Sequence, residues 1–185
     1  MSRYLLLQLI TVARIPLAIV IVVVLLTLQH TTQVIVTCAV VLAIGELTDF
    51  LDGFLARRWK LQSELGAMLD PYADSISRII IFWGLACVEL SLAIVPLVMA
   101  LRDVTVSYCR IYWAMKGKSV SARWSGKVKA VVQCIAAFAL LFLPLYPEAY
   151  RGNTLLIFSW TTIVVTAYSG IDYFRASLQV SRDAE

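Results

Sequence analysis

Six stretches of the chain are apolar for about twenty residues each, and short polar segments separate them. They run from about Tyr4 to Leu28, Gln33 to Leu55, Ala67 to Val88, Leu92 to Met115, Val128 to Leu145 and Leu155 to Phe174. A helix needs roughly 20 predominantly apolar residues to cross a bilayer, and each stretch comes close to that length. No segment shows the strict alternation of a strand, and strands would have to close into a barrel to span a membrane. The pattern predicts an all-α integral membrane protein with six transmembrane helices. The first stretch could be mistaken for a secretory signal. Its apolar run is too long, it contains Gln8, Thr11 and Arg14, and no small-residue cleavage site follows, so it reads as the first span.

Composition supports this reading. Of 185 residues, 61% are hydrophobic and only 15% are charged, and the mean hydropathy is +0.83. A water-soluble domain of this size carries far more charge. The length suits one compact helical domain over residues 1–185. The net charge of +4 is distributed unevenly. The turns at Gln29–Gln33 and Glu89–Leu92 contain no Lys or Arg, and the segment from Tyr146 to Asn153 has Arg151 opposed by Glu148. The other connections carry Arg57, Arg58 and Lys60, then Lys116, Lys118, Arg123 and Lys127, and the tail adds Arg175 and Arg182. The positive-inside rule then places both termini and both basic loops in the cytoplasm. Basic residues confined to short loops favour anionic lipid over nucleic acid as their partner. Cys38, Cys87, Cys109 and Cys134 are isolated in apolar runs and read as small buried hydrophobes.

Four acidic residues break the pattern. Asp49 and Asp52 are spaced i, i+3, and Asp70 and Asp74 are spaced i, i+4, so each pair lies on one face of a helix. The intervening segment, ARRWKLQSELGAM, turns the second helix back beside the third, and the four carboxylates can converge near the cytoplasmic face. In a partly dry site they would repel one another strongly, so unless most are protonated a cation must sit among them. Hard oxygen donors without nearby His or Cys suit Mg²⁺, Mn²⁺ or Ca²⁺ rather than zinc. Two ions sharing these carboxylates would lie ~4 Å apart, a spacing suited to phosphate chemistry. Gly53, Ala56 and Gly66 leave space for a flat group against the helix backbones, and Arg57 offers a planar fork for phosphate. Ionisable groups inside a membrane protein are by default functional, and four at this spacing are poorly explained as solvated charges.

The segment reads Asp49-x2-Asp52-Gly53-x2-Ala56-Arg57-x8-Gly66-x3-Asp70-x3-Asp74. It resembles the signature of the CDP-alcohol phosphotransferases, with all eight fixed positions filled. The resemblance implies six transmembrane helices and a homodimer. It also implies transfer of a phosphatidyl group from CDP-diacylglycerol to an alcohol, with release of CMP and two Mg²⁺ or Mn²⁺ ions as cofactors. By the same resemblance Asp49, Asp52 and Asp70 bind one ion, and Asp49, Asp70 and Asp74 contact the second. Asp74 is the general base, and Gly53, Ala56, Arg57 and Gly66 shape the CDP site.

A second region, Arg102 to Gln133, resembles the corresponding part of the phosphatidylglycerophosphate synthases within that family, through Arg102, Ser107, Arg110, Gly126, Lys127, Lys129 and Gln133. Leu9, Ile10, Thr11 and Arg14 resemble that subfamily's opening. Arg102 and Arg110 lie about 80° apart on an ideal helix. Together with Lys127 and Lys129 they could form a basic pocket for glycerol 3-phosphate. Gln8 stands where the subfamily has Asn, Ser75 where it has Lys, Asp103 where it has Glu, and Ala130 where Thr is common. These departures keep an inositol or inositol phosphate acceptor open. A divalent-cation transporter is the alternative of a different class, but it calls for carboxylates near the midplane on several helices rather than on one hairpin.

Overall fold

The computed structural model describes residues 3–59, 64–117 and 123–182, with side chains described for 8–48, 66, 68–117 and 123–179. Every regular element among them is helical. The order is α1 (Arg3–Thr27), α2 (Thr32–Trp59), α3 (Glu64–Cys87), α4 (Ile94–Met115), α5 (Trp124–Leu141), a short 3-10 turn (Leu143–Leu145) and α6 (Glu148–Arg182). Each apolar stretch in the sequence corresponds to one of the six α-helices, the fifth running on past α5 through the 3-10 turn.

Among the described residues three segments are long and apolar enough to cross a membrane: Gln8–Thr27, Trp124–Leu141 and Glu148–Gln179. On α2 the apolar segment among the described residues is the shorter Thr32–Thr48. The helices α2, α3 and α4 carry Glu46, Asp70, Asp74, Arg78, Arg102, Asp103 and Arg110 along their length. Those charges dilute the apolar runs, and several of them face the interior of the bundle.

The bundle is polar on some of its buried faces and apolar on its outer ones. On α6, Ser159, Thr162, Thr166 and Ser169 are completely buried, while Trp160, Val164 and Tyr168 are more than half exposed. The apolar face of this helix therefore points away from the protein. This inverts the usual amphipathic arrangement and suits surroundings that cannot form hydrogen bonds. The buried hydroxyls serve neighbouring helices. Ser159 Oγ accepts from the Leu92 amide at 3.3 Å, Thr166 Oγ1 from Gln133 Nε2 at 3.0 Å, and Ser177 Oγ from the Trp113 indole.

Packing divides the helices into α1–α2–α3 and α4–α5–α6, which meet through α3 with α4 and α5, and through α2 with α5. The apolar core lies toward the α1–α2 and α3–α4 turns, built from Ile21, Leu25, Ile35, Phe82, Leu85, Met99 and Leu140 among others. Near this core α1 and α3 approach so closely that a Cβ on Gly84 would collide with Val22 Cγ2. At the end of α3 the Leu90 amide bonds Leu85 O at 2.8 Å and the Glu89 amide bonds Ala86 O at 3.1 Å. This Schellman closure sets Glu89 at φ 60°. Core and turns leave the opposite end of α1, α2 and α3 for the polar residues.

Candidate active site

The site is organised along one face of α3, where Asp70, Asp74 and Arg78 follow one another at four-residue intervals. Asp70 and Asp74 are accessible, with 49% and 28% of their side chains exposed, whereas the Arg14 side chain opposite them on α1 is only 4% exposed. Arg14 spreads across both carboxylates, with Nη2 3.5 Å from Asp70 Oδ1 and Nη1 4.0 Å from Asp74 Oδ1. Thr11, one turn earlier, donates its hydroxyl to Asp70 Oδ1 at 3.3 Å. Asp74 also meets Arg78 Nη2 at 3.0 Å, and its backbone carbonyl accepts from Ser77 Oγ at 3.1 Å.

On α2, Glu46 Oε2 bonds Arg78 Nη2 at 3.1 Å. An open cleft beside it is lined by Arg14, Gly45, Glu46, Asp74 and Ser77 at its polar end and by Leu17, Ile21, Leu42 and Ile81 along its walls. The backbone from 49 to 59 continues the same helix, so Asp49 lies one turn beyond Glu46. The side chains of Asp49, Asp52, Ala56 and Arg57, and the surroundings of Gly53, lie outside the described residues. Gly66 is half-buried in the first turn of α3.

The donor set suits a hard divalent ion. Asp70 and Asp74 offer oxygen only, are reachable from outside, and stand one helical turn apart. Among the described residues no three acidic, His or Cys side chains gather into a ligand set, and the other two carboxylates of the motif are outside that description.

A second polar cluster lies one step away across the bundle. Arg78 Nη1 donates to the Ala130 carbonyl on α5 at 3.3 Å. The preceding residue, Lys129, is 6% exposed, bonds Asp103 Oδ1 at 3.1 Å, and is within electrostatic reach of Asp74. Arg102 bonds the same Asp103 oxygen at 2.7 Å and Ser169 Oγ on α6 at 2.8 Å. A Cβ on Gly170 would stand 3.0 Å from Arg102 Cγ, and one on Gly126 would stand 3.6 Å from its Nη2, so two glycines give this arginine its channel. Asp103 Oδ2 and Arg102 Nε are buried with no hydrogen-bond partner.

Of the four basic residues expected in one pocket, the structure brings Arg102 and Lys129 together. Arg110 stands about 12 Å further along α4, exposed, with its guanidinium 5.6 Å from the Tyr173 ring centroid. Lys127 is exposed on α5. Gln133 is buried on Thr166, Ser75 is half-buried, and Gln8 Nε2 is buried without a partner. The sequence reading did not single out Glu46 or Arg78 for the site. The available signal was a second pair of opposite charges within apolar helices, with Arg78 one turn after Asp74.

Residues 5–168 match the CDP-alcohol phosphatidyltransferase family. The chain belongs to that family. Its relatives include a protein of Pectobacterium atrosepticum named CDP-diacylglycerol--glycerol-3-phosphate 3-phosphatidyltransferase, 39% identical over 111 residues, or 58% of this chain and 61% of that protein. A protein of the same name from Sodalis glossinidius is 36% identical over 114 residues, again 61% of its length. The Escherichia coli K12 protein of that name is 32% identical over 148 residues, 75% of this chain and 77% of the relative. The chain thus spans about three fifths of the first two relatives. Within the CDP-alcohol phosphatidyltransferase family, a carboxylate pair on α3 facing Arg14 is the described half of the Asp/Gly signature in this chain.

Proposed function

We propose that this chain transfers the phosphatidyl group of CDP-diacylglycerol to glycerol 3-phosphate, forming phosphatidylglycerophosphate and releasing CMP. The observation that carries the reading is the position of Asp74. It stands one helical turn from the accessible Asp70 and is joined through Arg78 and the Ala130 carbonyl to the buried Lys129–Asp103–Arg102 cluster. A metal-type acidic face and a basic face thereby meet at one group. The relatives' names supply the matching donor and acceptor.

In this reading Asp74 accepts the proton of the acceptor hydroxyl, whose oxygen attacks the phosphorus bearing the diacylglycerol. The bond from that phosphorus to the CMP oxygen breaks. Asp49, Asp52, Asp70 and Asp74 would hold two Mg²⁺ or Mn²⁺ ions, which neutralise phosphate charge and stabilise the leaving group. Gly53, Ala56, Arg57 and Gly66 would receive the CDP moiety. Arg14, a buried fork within 4.0 Å of both carboxylates, is well placed to bind a donor phosphate. Arg102 and Lys129 supply positive charge toward the acceptor phosphate, and Arg110 and Lys127 mark its approach from water.

The proposal extends to the whole chain as one domain with six spans. Both termini and the active site face the cytoplasm at the bacterial inner membrane, and the unit is a homodimer. Lipid tails then stay in the bilayer while the polar acceptor enters from water. The test is CMP release by purified protein from CDP-diacylglycerol with Mn²⁺ or Mg²⁺. Release should require glycerol 3-phosphate. No release with glycerol 3-phosphate, inositol, inositol phosphate or serine would refute the reading.

A further inference from the structure

Arg78 and Glu46 lie outside the eight-residue signature, yet they hold its last carboxylate. Arg78 is 8% exposed. Its Nη2 is shared between Asp74 Oδ1 at 3.0 Å and Glu46 Oε2 at 3.1 Å, and its Nη1 reaches the Ala130 carbonyl at 3.3 Å. One planar guanidinium therefore ties α3 to α2 on one side and to α5 on the other. Asp74 alone, one turn away on the same helix, would already balance the charge of Arg78. The additional carboxylate from α2 does something else: it fixes the direction in which the guanidinium points. A lysine could neutralise Asp74 but could not hold three partners in one plane.

We propose that Glu46 and Arg78 form a positioning clamp for Asp74, in which Glu46 reaches Asp74 through Arg78. The inference rests on Asp74 being the group that accepts the acceptor's proton. Glu46 and the Ala130 carbonyl lock the guanidinium, and the locked guanidinium fixes the rotamer of Asp74 toward the cleft that Asp74, Arg14, Gly45 and Glu46 itself line. Misplacement of a reacting group by about 1 Å can cost up to a hundred-fold in rate. The clamp therefore acts on turnover rather than on substrate affinity.

The test is a double-variant cycle with Glu46→Ala, Arg78→Met and their combination, and Glu46→Gln as a variant that keeps the hydrogen bond. Each full-length protein is assayed in mixed micelles with CDP-diacylglycerol, Mn²⁺ and glycerol 3-phosphate, and melted without substrate. The expected result is a fall in kcat of about ten- to a hundred-fold in each single variant, with both KM values unchanged. The double variant should be no slower than Arg78→Met, and Glu46→Gln should recover much of the loss. Melting temperatures should show the same non-additivity, which reads the ion pair without turnover. Losses in kcat that multiply, wild-type kcat in Glu46→Ala, or a raised KM at constant kcat would each overturn the clamp. An inactive wild-type protein would instead refute the proposed reaction, and the melting cycle would still report on the pair.

Discussion

At the residue scale, Asp74 and Asp103 carry opposite kinds of burden. Asp74 is partly exposed and faces two arginines, as a group meant to meet a substrate would. Asp74→Asn is expected to abolish CMP release while the protein still folds and binds Mn²⁺ and CDP-lipid, as read by melting and Mn²⁺ titration. A variant that fails to fold instead would count against the general-base role. Asp103 is buried and holds Arg102 and Lys129 on one oxygen. Asp103→Asn strands two buried cations, and loss of a buried partner typically costs about 3–5 kcal/mol. A marked drop in melting temperature is expected, with Asp103→Glu keeping most of the stability because the carboxylate remains. Equal melting of Asp103→Asn and wild type would show that the cluster does not support the fold.

At this scale the sequence was informative where chemistry is unusual and silent where it is relational. The motif spacing marked Asp70 and Asp74, and the structure places them together beside Thr11 and Arg14. It did not mark Glu46 and Arg78, because their pairing joins positions thirty-two residues apart on different helices. It grouped Arg110 with Arg102 through the resemblance and their shared helix. The structure places Arg110 about 12 Å further along α4, with its guanidinium 5.6 Å from the Tyr173 ring centroid.

At the element scale, six apolar stretches became six α-helices with boundaries close to those expected. The largest extension is α6, which begins at Glu148 rather than Leu155 and runs on to Arg182. Its amphipathic ends do not read as membrane-apolar, but nothing in them breaks a helix. Hydropathy could not show which face of α6 turns inward, since Ser and Thr are tolerated on either side of a span. The structure answers this through the bonds to Leu92, Gln133, Arg102 and Trp113. Two substitutions test the packing. Gly84→Val drives a side chain into Val22, and overpacking of this kind costs about 1–3 kcal/mol, so a lower melting temperature is expected. Glu89→Gly removes a side chain from a left-handed position at φ 60° and should raise stability by about 1 kcal/mol. A destabilised Glu89→Gly protein would contradict the Schellman geometry of that turn.

For the whole molecule, an apolar core is joined by buried hydroxyls on α6, and many large apolar side chains face outward. Asp70 and Asp74 sit at the end opposite the main apolar core, where α1, α2 and α3 open a cleft with a charged mouth and apolar walls. Such a cleft suits a substrate with a phosphate head and a lipid body. The family was legible in the sequence, because the eight-residue signature lies on one contiguous segment. The proposed acceptor was less so, because the residues expected to bind it are split between α4 and α5, and Ser75 and Gln8 depart from the expected pattern.

The most direct test of the account is therefore the identity of the lipid product. Purified protein is given CDP-diacylglycerol and Mn²⁺ with glycerol 3-phosphate, inositol phosphate, inositol and serine together, and the lipid formed is identified by mass spectrometry. The account predicts phosphatidylglycerophosphate, with CMP released in equal amount. A phosphatidyl product bearing inositol or serine in its place would contradict it.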